Sequence, residues 1–168
     1  MPDARAIGRA LHELVADSLG RSEPLPDSKV DEARLFTELL LMRVYVAEAA
    51  VKARLAEEVS KSALQAFHIA LDRSFAGRIA GGEDALFSAL VHDRLDCYAR
   101  AVGGHCEVAL LGRELARLCD RPDDTALINR GEAEATAFGR RVEQTLADAS
   151  APRASPARSS RTDITGTG

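Results

Sequence analysis

At 168 residues, with 46% apolar and 29% charged side chains, the chain has the size and composition of one soluble globular domain, which excludes wholesale disorder. Aromatics are 4%, there is no Trp, and Val, Ile and Thr never form alternating runs, so the fold reads as all-α with an aliphatic, Ala-rich core. Net charge is −4, and because the last twenty residues carry +2 the body is near −6, which argues against nucleic-acid binding, a role that needs a basic face.

The first helix is expected over residues 3–19, with Ile7, Leu11, Leu14 and Ser18 on its inner side and Gly20 as its stop. Acids interrupt its apolar pattern, so the segment does not read as a secretory signal. Pro24 and Pro26 hold the following linker extended, and Ser28 with Asp31 forms a candidate capping box. A long helix over about 29–56 comes next. Its stretch LFTELLLMRVYVAEAAVKARL, residues 35–55, is apolar on most of its circumference and must be covered by other helices. At 100° per residue Arg34, Glu38, Glu48 and Lys52 form a polar strip, and Arg43 falls in the middle of the opposite, apolar face.

Ser60 offers a new cap, leaving open whether the central helix and the next are one bent rod or two. The third helix carries Val59, Ala63, Phe67, Ala70, Leu71 and Phe75 on one face and breaks around Gly77, Gly81 and Gly82. A fourth, about 83–102, gathers Leu86, Phe87, Leu90, Tyr98 and Ala101, with Arg94 among them, and ends at Gly103 and Gly104. The fifth, about 106–119, shows Val108, Leu111, Leu115 and Leu118. The RPDD turn at 121–124 opens a sixth, about 125–149, whose stripe runs Leu127, Ile128, Gly131, Ala135, Phe138, Val142 and Leu146. Gly131 and Ala135 are small enough for a neighbouring helix to approach closely. From residue 150 the chain is Pro, Ser, Arg, Thr and Gly and is expected to be a disordered tail. The expectation is therefore a compact bundle of about six helices over residues 1–149, built around a long, mostly buried central helix.

Burying an unpaired guanidinium costs several kcal/mol, so Arg43 and Arg94 must each meet a carboxylate, carbonyls or an anionic ligand. A structural ion pair is the simpler outcome. The alternative is a shared anion site, to which Tyr98 would add a hydroxyl one turn from Arg94. Leu41 and Tyr45 fall inside the polar strip of the central helix, and Leu110 sits similarly on the fifth; they are the candidate patch for a protein partner or a second copy, unless another element covers them.

The pair His92–Asp93, with His68 upstream and Asp120, Asp123 or Asp124 downstream, resembles the ligand order of HD-domain phosphohydrolases, which implies a divalent metal that activates water. Against it, Arg94–Leu95 continue the helix, and His92 projects opposite Leu90 and Tyr98. Cys97, His105, Cys106 and Cys119 lack the close pairs of structural zinc sites, so no metal and no cofactor is expected, and three unpaired cysteines fit a reducing compartment. No nucleophile turn, phosphate-binding glycine loop or HExxH sequence occurs, and no apolar run approaches a membrane span. The sequence thus reads as a cytoplasmic, non-catalytic helical protein acting through protein–protein contacts, with an anion-binding domain as the second reading and an HD-like hydrolase as the third.

Overall fold

The structure, a computed structural model, describes residues 3–20, 30–79, 84–103 and 107–150. Six helices form where caps and stops permit. In front of α1 (Ala4–Gly20) the Asp3 carboxylate accepts from the Arg5 and Ala6 N–H groups at 3.0 and 3.2 Å. Before α2 (Glu32–Arg54) Asp31 is extended, at φ −62° and ψ 125°, and its carboxylate accepts from the Arg34 N–H at 2.8 Å. The central helix therefore starts three residues later than the expected 29, and its cap is Asp31, the residue taken for the second member of a capping box; Ser28 lies outside the described residues. An ionised carboxylate facing the positive end of the helix is a strong cap on its own.

The chain turns extended at Leu55 (φ −107°, ψ 149°), so α2 and α3 (Glu57–Ile79) are two helices and not one bent rod. Ser60 is not the cap; it is buried in the first turn of α3, and its backbone N–H donates to the Ala56 carbonyl at 2.9 Å. Gly77 does not break α3, which runs through it to Ile79. Next, α4 (Asp84–Val102) ends on Gly103, the glycine stop expected from the sequence, which takes the left-handed φ of +57°. After α5 (Val108–Leu118), the Asp124 carboxylate accepts from the Leu127 N–H at 3.0 Å and opens α6 (Thr125–Ser150). The expected disordered tail lies outside the described residues, apart from Ser150.

The arrangement follows from α2. It packs against each of the other five helices, and no other helix does. Those five close a ring around it in the order α1, α3, α4, α5, α6 and back to α1. The chain thus lays down one stave, passes through the middle, and then completes the ring in sequence. Leu39, Leu40, Leu41, Met42, Val44, Ala47 and Val51 of α2 are all buried, joined by Ile7, Leu11 and Val15 of α1, Phe67 and Leu71 of α3, Phe87 and Tyr98 of α4, Leu111 and Leu115 of α5 and Phe138 and Val142 of α6. Each fully buried aliphatic or aromatic side chain contributes about 1.5–3 kcal/mol, and this offsets the desolvation of the charged residues α2 carries inside. One stripe residue was misplaced: Leu86 is exposed, and Val91 and Val102 take the inner positions of α4 beside Phe87 and Tyr98.

Small residues set the closest crossings. A Cβ on Gly8 would lie 2.5 Å from the Ala63 carbonyl oxygen, so α1 rests almost backbone to backbone on α3. At the α5–α6 crossing Gly131 faces Gly112, and a Cβ on Gly131 would lie 2.7 Å from the Gly112 Cα. The close approach expected at Gly131 is there, with Gly112 as its counterpart.

Candidate functional site

The polar strip of α2 is not a solvated face. Glu38 is 2% and Glu48 7% exposed, because the ring covers the strip as well as the apolar face. Each carboxylate meets a nitrogen-bearing side chain from a neighbouring helix. The Arg94 Nε of α4 donates to both Glu38 oxygens, at 2.9 and 3.0 Å, and its Nη1 to Asp93. Burial raises the Glu38 carboxyl above its ordinary value by more than Arg94 lowers it. Glu48 is hydrogen-bonded to His68 Nε2 of α3 at 2.7 Å and to Lys52 one turn along α2. Burial raises it too, but the His68 and Lys52 hydrogen bonds outweigh that, and its carboxyl sits below the ordinary 4.5.

That depression has a consequence with a definite sign. A depressed carboxyl contributes stability that is fully present above 4.5 and disappears as pH falls through its folded value. The stability gap between the wild-type protein and Glu48→Gln should be widest near neutral pH and close on acidification, measured by urea unfolding along a pH series. Glu38 has the opposite sign, so Glu38→Gln should not reproduce that closing gap.

Arg43 is 1% exposed and is the bulkiest of the fully enclosed side chains. Its Nη2 donates to Glu134 Oε2 of α6 at 2.7 Å, and Glu134 Oε1 takes Arg130 Nη2 at 2.8 Å. One carboxylate therefore lies between two guanidinium groups. The inward arginines do not face a common site: Arg43 is matched by Glu134, Arg94 by Glu38 and Asp93. Tyr98 is wholly buried, with its hydroxyl donating to the Glu38 carbonyl at 3.4 Å. Burial, followed by the Glu38 charge, pushes its phenol well above the ordinary value, so it is a neutral hydrogen-bond donor. Glu134 and Arg130 escaped the sequence reading because both lie off the apolar stripe of α6; the only sign was their four-residue spacing.

The candidate partner patch is altered in the same way. Leu41 is 1% exposed, a core residue rather than a surface one, because the ring closes over the face on which it lies. Tyr45 is half-buried with its ring 5.7 Å from that of Tyr98. Leu110 is half-buried in a shallow hollow with Ala101, Arg113 and Ile128.

The residues behind the HD-domain resemblance are not brought together. His68 is held by Glu48, Asp93 by Arg94, Asp120 by Arg34, and His92 Nδ1 lies 2.8 Å from the Ser88 carbonyl of its own helix. Among the described residues no three His, Cys, Asp or Glu side chains gather where one metal ion would reach them. Cys97 and Cys119 are buried free thiols, and His105 and Cys106 lie outside the described residues. Burial and then the Glu38 charge push the Cys119 thiol up to about 11, so it is not a thiolate nucleophile at neutral pH. No helix among the described residues is long and apolar enough to cross a membrane.

What the ring leaves open is a groove of about 710 Å³ over the carboxy-terminal half of α2. Val46, Ala49, Ala50 and Ala53 of α2 make its floor, Val108 and Leu111 of α5 one end, and Ala135, Gly139 and Ala147 of α6 its long wall. An Arg54–Glu143 ion pair, 3.0 Å, ties α2 to α6 along the rim. On the sequence Val108, Leu111 and Ala135 read as core-stripe residues and none of the lining reads as a site, because alanines on a helix wheel look like filler until the neighbour that would cover them is seen to stop short. Fold and groove together define an all-α bundle with an ion-paired central helix whose carboxy-terminal half lies along an open groove. No protein-family model, curated protein or solved structure matches the chain.

Proposed function

We propose that the protein is a non-catalytic helical bundle that acts through protein–protein contact, receiving an amphipathic helix of a partner in the groove between α2, α5 and α6. The observation that carries this is the length mismatch in the ring. α5 has 11 residues and α6 beside it has 26, so roughly 16 Å of stave lies against roughly 39 Å. The uncovered part of α2 and α6 offers alanines and a glycine to a helix-sized gap, with Arg140, Glu143 and Gln144 at the edge to pair with a partner's polar face. The anion-binding reading is weaker, since both inward arginines already have carboxylates.

A photo-cross-linking side chain at Ala53 in the full chain, expressed in its native host, tests the reading. It should trap one partner through a helical segment, and Ala50→Glu should abolish the trapping while the same probe at Ala109, on the outer face of α5, traps nothing. Trapping that survives Ala50→Glu would remove the groove from the account. Trapping of the protein by itself, with a dimer in sedimentation, would make the partner a second copy.

A further inference from the structure

On the other side of the ring, the seam between α1 and α3 carries a second groove of about 670 Å³ with a different character. Gly8 brings the two helix backbones together, so that side chains from both stand around one cleft. Arg5 and Arg9 rise from α1 one turn apart, and Arg73 from α3. Among the described residues none of the three makes an ion pair, unlike Arg34, Arg54, Arg117 and Arg141 and like Arg113 and Arg140, which stand apart from one another in other hollows. The carboxylate in the cleft, Glu13, is not paired with them either. On a body whose charge is near −6, three guanidinium groups left to water in one cleft are a local inversion of sign.

Ile69, 45% exposed, lines the same cleft; among the described residues only it and Leu86 are large, apolar and exposed. His12 is tied to Ser74 across the seam at 2.8 Å, which fixes α1 against α3 at the end of the cleft near Arg73. An apolar side chain in a cationic rim is poorly matched to an inorganic anion, which gains nothing from Ile69. It is matched by a peptide that sets carboxylates around an apolar residue. The α3 wall from Ser62 to Ser74 runs roughly 18 Å, the length of about three helical turns.

We infer that the α1–α3 cleft binds an acidic amphipathic segment of a partner protein, with Arg5, Arg9 and Arg73 pairing its carboxylates and Ile69 taking its apolar side chain. This stands on residues that the α2–α5–α6 groove does not use, and either surface can fail without the other.

The test uses the full chain and a fluorescent peptide of about twelve residues, built from Glu and Leu so that one helical face is apolar. Anisotropy should report one saturable site that weakens as NaCl rises from about 50 to about 300 mM. Arg9→Glu with Arg73→Glu should reduce affinity by at least about tenfold, and Ile69→Ser by at least about threefold. Arg100→Glu with Arg121→Glu, the same charge change on exposed arginines outside both grooves, should leave it within about twofold. All of these positions are exposed, and circular dichroism confirms that the variants remain folded. The inference is overturned if the peptide does not bind, if the control pair weakens it equally, if a sequence-scrambled peptide of the same charge binds as well, or if inorganic phosphate or a single-stranded RNA displaces it from the cleft.

Discussion

Gly112→Ala is expected to be among the most damaging single-methyl changes this protein can take, lowering stability by about 3 kcal/mol despite improving helix propensity. In an exposed helix the same substitution gains about 1 kcal/mol, because Ala loses less backbone freedom on folding. At Gly112 the new Cβ would sit inside the van der Waals surface of the Ile128 carbonyl oxygen, 2.7 Å from Glu132 Cγ and 3.0 Å from the Glu132 nitrogen. Two of these three are α6 backbone atoms, which cannot turn aside as a side chain does, so α5 and α6 have to separate. Gly131→Ala meets the Gly112 Cα and the Leu115 side chain and should behave similarly. Gly77→Ala is the opposing control: no atom lies within 4 Å of its Cβ, and it should gain about 0.5–1 kcal/mol. Urea unfolding of the three variants decides the matter. A Gly112→Ala protein as stable as the wild type would mean that the α5–α6 crossing is looser than described.

The second large effect concerns the charge enclosed beside α2. Glu134→Ala should cost about 3–5 kcal/mol, a substantial share of a stability of about 5–15, whereas Arg43→Met should cost about 1 kcal/mol or less. The asymmetry comes from burial. Arg43 is 1% exposed, so losing the Glu134 carboxylate removes a counter-charge from a guanidinium held in a dry environment. Glu134 is 21% exposed and keeps Arg130 at 2.8 Å when Arg43 is replaced, while Met fills much of the vacated volume. Equal costs in the two variants would show that the guanidinium is needed for itself. In that event a thermal-shift series with phosphate and organic acids, run on wild type and Arg43→Met, would reopen the anion-binding reading: a stabilising anion whose effect the variant loses would establish it.

How far the chain could be read in advance depended on whether a feature is local. The six helices, the left-handed stop at Gly103, the cap at Asp124 and the enclosure of Arg43 follow from spacing, from glycine's freedom at positive φ and from the cost of exposing an all-round apolar helix. These preferences act within a few turns of one segment, so they can be seen there. Helix ends differ by a few residues where a cap sits further along the chain, as at Asp31 before α2, or where a helix runs through a glycine, as at Gly77.

What stayed hidden was everything that needs two helices at once. A helix wheel marks Glu38 and Glu48 as polar and therefore as outward. Only the placement of Arg94 and His68 on neighbouring staves makes it physically acceptable to bury them. The same closure took Leu41 out of the candidate interface, and the start of α5 only at Val108 left open a groove whose alanines, on their own helices, look like any other alanines. Side-chain chemistry and periodicity determined that this chain would build a bundle around residues 35–55 with a cation inside it. Which faces of that bundle reach water was decided by the relative lengths and neighbours of its helices, because burial is a property of packed pairs and is not carried by any one segment.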